Sequence, residues 1–169
     1  MIVRLARERD LPGFLGLAAQ VEHWFGPMVD DPGFSEAVVE HMRGSRALVA
    51  VGADPGGPAP VAGVAPPPQP PLLGGLLFGS DAPVLHIHWL VVSGRARGRG
   101  VGAALMAEAM KRRVTGPGTV EVVTFGADHP GAVDSGARVF YERLGFTPAE
   151  MTEPGPEGGS RQVYRLAVC

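Results

Sequence analysis

The sequence predicts a single domain of mixed α/β class, and three observations carry that expectation. Its 169 residues suit one compact unit, and a hydrophobic content of 45% is enough for a core without staples. Apolar residues recur with strand period in some segments and helix period in others, in alternation along the chain. The longest strand pattern, residues 84–92, runs straight into a glycine-rich turn and then an apolar-striped helix.

Taken in order, residues 1–5 read as a short strand, and Asp10 caps a helix in which Leu11, Phe14, Leu15 and Ala18 recur at helix spacing. An irregular stretch, 26–31, leads to a second helix marked by Phe34, Ala37, Val38 and His41 and ending near Gly44. Strands are expected at 47–51 and 72–78, with Gly- and Pro-rich segments around 55–60 and 66–71. The second proline run cannot be a central strand, because proline has no N–H for the ladder. Residues 84–92 are long, rich in branched and aromatic residues and apolar on both faces, as a central strand should be. Val101, Ala104, Leu105 and Ala109 then stripe a helix that carries Lys111, Arg112 and Arg113 in its last turn and stops at Gly116-Pro117. A strand at 120–125 precedes a helix over 134–144, with Asp134 as its N-cap and Gly145 as its terminator. The acidic, glycine-rich stretch 150–160 reads as a loop between the last two strands, the final strand being 162–168.

Composition narrows the partners. A formal net charge of -2 and a pI near 6.2 give no electrostatic reason for a nucleic-acid partner, which leaves small molecules or peptides. One cysteine, Cys169, cannot form an internal disulfide, and no Cys/His cluster has zinc-ligand spacing, so no metal and a reducing, cytoplasmic setting are expected. The first ten residues alternate charged and apolar side chains, unlike a signal peptide. No apolar run approaches the roughly eighteen residues of a membrane span, so no membrane partner is expected. The sequence leaves a homodimer open.

The chemistry concentrates in Arg97-Gly98-Arg99-Gly100-Val101-Gly102. Three glycines and two arginines where a strand turns into a helix let backbone N–H groups, helix dipole and guanidinium charge converge on a phosphate. Gly98, Gly100 and Ala103 also satisfy a dinucleotide fingerprint, with Glu121 about twenty residues on. That alternative is disfavoured because such a unit usually opens its domain, whereas here two helices precede the strand. A further alternative keeps the phosphate loop but makes the chain a non-catalytic acyl-coenzyme-A-binding module.

Residues 92–102 resemble the strand-plus-loop motif of GCN5-related N-acetyltransferases (GNAT), with the signature Arg/Gln-x-x-Gly-x-Gly/Ala met by Arg97, Gly100 and Gly102. Asp134-x-x-Ala137-x-x-x-Tyr141-Glu142-Arg143-Leu144-Gly145-Phe146 is similar to the family's later helix, in the expected order and spacing. The match spans 84–146. The resemblance implies a mixed, mostly antiparallel central sheet flanked by helices, and an acetyl-coenzyme-A-dependent N-acetyltransferase acting on a primary amine. It implies that 97–102, with Ala103, hold the coenzyme A pyrophosphate, and that main-chain groups of Leu90, Val91 and Val92 pair with the pantetheine arm. Tyr141 would protonate the departing thiolate; without the resemblance it is as readily an ordinary buried helix residue. Asp134 stands where the family usually has Asn, so a cofactor contact and a simple N-cap role are equally open. Ser93-Gly94 replaces the usual acidic-Pro pair.

A lysine-type ammonium has a pKa near 10.4, so an acceptor amine needs a base or a water relay. His86 and His88 lie two apart on the predicted central strand, share a face by alternation, and titrate in the useful range. A His-x-His pair at this offset also occurs in arylalkylamine N-acetyltransferases, a similarity of mechanism and not of substrate; two buried structural histidines are the alternative. Trp24, Phe25 and Asp30, in the stretch joining the early helices, would suit a cationic amine with an apolar body, or else close the core and cap the next helix.

Overall fold

Runs of branched and aliphatic residues broken by glycine and proline order seven strands into one sheet. The computed structural model describes residues 1–52, 62–63, 72–114, 116–155 and 158–168. In chain order these form β1 (Ile2–Leu5), α1 (Leu11–Ala19), α2 (Glu22–Phe25), α3 (Pro32–Arg43), β2 (Ala47–Val51), β3 (Gly74–Asp81), β4 (Val84–Val92), α4 (Val101–Arg113), β5 (Gly118–Phe125), α5 (Pro130–Asp134), α6 (Ala137–Arg143), β6 (Thr147–Thr152) and β7 (Arg161–Val168). The strand order is β1-β2-β3-β4-β5-β7-β6, and every neighbouring pair is antiparallel except β4 and β5. The expected mixed, mostly antiparallel sheet flanked by helices is therefore present, with α4 as the crossover that a parallel pair requires.

Each face of the sheet has its own apolar layer. Phe14 and Leu17 of α1 and Val38 and Met42 of α3 pack on Ala47, Val49, Leu77 and Val91. On the opposite face, Val101, Leu105 and Met106 of α4 and Tyr141 of α6 pack on Leu48, Leu76, Phe78, Leu85 and Ile87.

One irregularity positions the site. Ile87 of β4 faces Phe78 of β3, and Trp89 faces Leu77, so His88 is an extra residue in the ladder. A bulge of this kind shifts the side-chain phase. Leu85 and Ile87 point to the α4 layer, but beyond the bulge it is Leu90 and Val92 that do so, while Trp89 and Val91 join the layer under α1 and α3. The same point ends the parallel pairing, which covers only Val84–Ile87 against Thr119–Val122. Past it β4 stays bonded to β3 and β5 to β7, and the two strands part.

Several sequence expectations change in the fold. Asp10 does not cap α1 through its side chain; it is buried at 3% exposure and accepts from Arg4 Nη1 at 2.8 Å, Arg4 Nη2 at 3.0 Å and the Arg7 backbone N–H at 2.8 Å. Burial alone would raise its carboxyl pKa, but those bonds and the charges of Arg4 and Arg9 outweigh it and hold the group below the usual carboxylate range. The capping role falls instead to Asp31 on α3, whose side chain accepts from the Gly33 N–H at 2.9 Å. The strand expected at 72–78 is β3, displaced to 74–81. β4 is not apolar on both faces, because its His86 side reaches solvent beside Glu121 and Arg165. Residues 147–152, partly assigned to a loop, form edge strand β6, where Glu150 pairs with Arg165. The Pro-rich runs at 55–60 and 66–71 and Cys169 lie outside the described residues.

Candidate functional site

The loop from β4 to α4 is anchored by Ser93, whose N–H donates to the Leu73 carbonyl at 2.8 Å, and by buried Ala96, whose N–H closes a turn on Ser93 at 2.9 Å. Gly98 and Gly100 follow with φ of 76° and 79°, a region that L side chains enter at a cost of about 1–2 kcal/mol. Gly100 is the N-cap of α4 and offers no capping side chain, and no acidic residue sits in the first turn. The first N–H groups of α4 are thus open to an anion, with the helix dipole behind them. Gly102 has a different reason: a Cβ there would stand 2.9 Å from the Phe140 ring, so α6 leans on the start of α4 only because the side chain is missing.

A cavity of about 640 Å³ runs from this loop into the gap between the parted strands. It is lined by Leu90, Val91 and Val92 of β4, by Arg97, Gly98, Gly100, Val101, Gly102 and Ala103, by Trp24 and Phe25 of α2, and by Tyr141. Leu90 to Val92 have no strand partner on the β5 side, so backbone donors and acceptors on that edge are left for a ligand.

Tyr141 is 5% exposed, its ring set against Phe140, Phe146 and Tyr164 with centroids 5.1, 5.5 and 6.2 Å away. Burial pushes its phenol well above the ordinary tyrosine value, so it stays protonated. Among the described residues its hydroxyl has no hydrogen-bond acceptor.

The opposite wall is aromatic. Phe25 stacks on Phe125 at 4.7 Å, Trp24 meets the same ring edge-on at 6.5 Å, and the Arg97 guanidinium lies 5.3 Å over Trp24. Glu22 accepts from the Met28 N–H at 2.6 Å and so ties down the loop after α2.

Five of the residues singled out in the sequence do not line this cavity. Arg99 and Asp30 are exposed, and no carboxylate lines the cavity among the described residues. Asp134 is not an N-cap: it ends α5, exposed, because Gly136 at φ 68° breaks the helix expected over 134–144. Ser135 Oγ instead accepts from the Ala137 N–H at 3.2 Å at the start of α6. His86 and His88 share a face as expected, with ring centroids 6.4 Å apart, but sit on the paired half of β4 and at the bulge that ends it. His86 Nδ1 lies 3.6 Å from Glu121, which also accepts from Arg165 at 2.7 Å; His88 Nδ1 lies 2.9 Å from His41 Nε2 of α3. Phe125, Phe140 and Arg143 line the cavity without having been picked out for it, since their placement depends on helices and strands far apart in sequence.

The mostly antiparallel sheet flanked by helices has the fold of the GNAT acetyltransferases. Residues 71–148 match the family model of the acetyltransferase (GNAT) domain, so the resemblance read from the two motifs is shown. No curated protein matches the chain by sequence. Among solved structures, the chain is similar to a ribosomal-protein-alanine N-acetyltransferase from Brucella melitensis at 18% identity and TM-score 0.65, covering 99% of this chain and 100% of that one. It is similar to a chain of the NatC complex bound to Gag peptide and CoA at 14% identity and TM-score 0.68, covering 99% and 98%. It is also similar to an agmatine N-acetyltransferase, solved as the S171A mutant in its apo form, at 14% identity and TM-score 0.64, covering 99% of each chain. At these identities the likeness is one of fold.

Proposed function

We propose that this chain is an acetyl-coenzyme-A-dependent N-acetyltransferase that acts on a primary amine of a small molecule or peptide. The observation that carries the reading is that one cavity joins the open N-terminus of α4, the unpaired edge of β4 and the side of α6 that carries Tyr141. These are the three things an acyl-coenzyme A needs: an anion site, a main-chain edge for an amide-bearing arm, and a proton donor. The residues fit the group, because Gly98 and Gly100 provide the turn that aims the loop amides and no carboxylate opposes the phosphates. When bound, acetyl-coenzyme A supplies the acetyl thioester.

The protein's own part is binding, orientation and proton handling. The loop 97–102 and Ala103 hold the pyrophosphate, and Leu90 to Val92 align the arm along the strand. An N–H near Val92 is available to stabilise negative charge on the acyl oxygen. Tyr141, dry and protonated, gives its proton to the departing thiolate. His86, His88 or a water held by them takes the proton of the attacking amine. Trp24 and Phe25 present an apolar wall to the acceptor.

The test is a thermal-shift comparison of acetyl-coenzyme A, coenzyme A and NAD at matched concentration, followed by thiol release with a panel of primary amines that includes agmatine and an alanine-ended peptide. Stabilisation by the coenzyme A species together with amine-dependent thiol release is the expected result. Stabilisation without release from any amine makes the chain an acyl-coenzyme-A-binding module, and stabilisation by NAD alone overturns the cofactor.

A further inference from the structure

Three imidazoles from two elements meet above β4, and the hydrogen bonds of the His41–His88 pair admit one arrangement of protons on the neutral rings. His41 Nδ1 lies 2.6 Å from the Ala37 carbonyl, one turn back on α3. A carbonyl only accepts, so His41 Nδ1 carries the hydrogen, and the neutral ring has a bare Nε2. That Nε2 lies 2.9 Å from His88 Nδ1, which must therefore donate. The remaining nitrogen of neutral His88, Nε2, is left with its lone pair. We infer that His41 is a positioning residue that fixes the tautomer of His88 and makes Nε2 the nitrogen through which His88, by way of water, takes the proton of the acceptor amine.

The inference rests on the acetyltransferase reading above and names the nitrogen of His88 that serves it. His86 is engaged differently, with Nδ1 3.6 Å from Glu121, a carboxylate also held by Arg165. The His41–His88 bond survives when Nε2 takes up a proton, because Nδ1 still donates. It does not survive protonation of both rings, since His41 Nε2 would then be a donor facing a donor. The array thus takes one proton from the substrate ammonium, leaving a neutral amine and an imidazolium on His88. The groups facing His88 agree with a base kept neutral. Its own burial first, and then His41 from α3, His86 on β4 and Arg46 before β2, lower its pKa below the ordinary histidine value. β3 leaves room for the ring: a Cβ on Gly79 would lie 2.6 Å from His88 Cε1 and 3.0 Å from Nε2.

The experiment uses the full chain labelled with ¹⁵N-histidine and long-range ¹H–¹⁵N spectra at a pH where the rings are neutral. Wild-type His88 is expected as the Nδ1–H tautomer. His41→Phe, which has no acceptor, shifts it toward Nε2–H, and His41→Gln, whose amide oxygen can accept, keeps it. With the best amine of the panel, kcat falls about tenfold or more in His41→Phe, the KM for acetyl-coenzyme A changes by less than about twofold, and Gln restores most of the loss. Gly79→Ala crowds the same ring from β3 and lowers kcat with His41 intact, so the inference stays testable if the Phe variant does not fold. An Nε2–H tautomer in the wild type, or a Gln variant no better than Phe, overturns the positioning role. A wild type that acetylates no amine removes the proton-acceptor role along with the acetyltransferase reading, while the spectra still decide the tautomer.

Discussion

The two halves of β4 differ in how many neighbours they have. From Val84 to Ile87 the strand is bonded to β3 on one side and β5 on the other; beyond His88 it keeps β3 alone. The first half is scaffold with an ionic, half-exposed upper face, and the second is an edge in the interior of a sheet. A single unmatched residue turns one into the other, because a bulge bends its strand and breaks the ladder on the far side. An unpaired edge is normally a liability; here it lines a cavity that a ligand can fill.

The largest effect should come from spoiling the open half at its phosphate end. Gly100→Asp puts a side chain at φ 79° and a negative charge on the N-cap, and coenzyme A affinity should fall by at least about a hundredfold. Calorimetry that returned wild-type affinity would sink the loop assignment.

Tyr141→Phe removes only the hydroxyl from the same cavity. Turnover should drop on the order of a hundredfold with cofactor affinity changed by less than about twofold. Equal loss of both would mean that Tyr141 serves packing.

The scaffold half is tested by replacing His86 and His88 together with Gln. Because a base works in its neutral form and the His88 pKa is lowered, wild-type kcat/KM should be lost as pH falls through a value below the ordinary histidine pKa. The double variant should lose at least about tenfold above that pH, and its gap to the wild type should close at the acid end. An unchanged pH–rate profile excludes both residues as the titrating base.

The smallest effect on activity belongs to the far edge of the sheet. Asp10→Asn breaks a buried pair with Arg4 and should cost about 3 kcal/mol of stability at neutral pH while leaving kcat unaltered. Since the Asp10 pKa is depressed in the folded state, its contribution is present above the unfolded carboxylate value and lost as pH falls through the lowered one. The gap between wild-type and variant melting temperatures should therefore narrow below about pH 4. A constant gap across that range would remove the ion pair as its cause.

What the sequence could show follows a physical line. The strand 84–92, the helix from Val101 and the stop at Gly145 were legible because each depends on its own residues: branched side chains, an apolar stripe, a glycine that accepts φ 98°. The glycine turn at 97–102, to which we assign the phosphates, was legible for the same reason, since a few consecutive residues make it. Strand β6 was not, because its Thr147–Thr152 side chains are mostly exposed and carry no alternation. The break at Ser135-Gly136 was hidden because Asp134 and Gly136 are each compatible with a helix start.

By itself the sequence determined the fold class, the order of most elements, the glycine turn before α4 and the helix that carries Tyr141, because local backbone preference and side-chain chemistry act within a few residues. Only the tertiary structure decided where β4 leaves β5, which aromatic rings wall the cavity, and that His41, 47 residues from His88, donates to Ala37 and so leaves one nitrogen bare. Those outcomes depend on strand register and on helices packed from elsewhere in the chain, and no short window of sequence contains both partners.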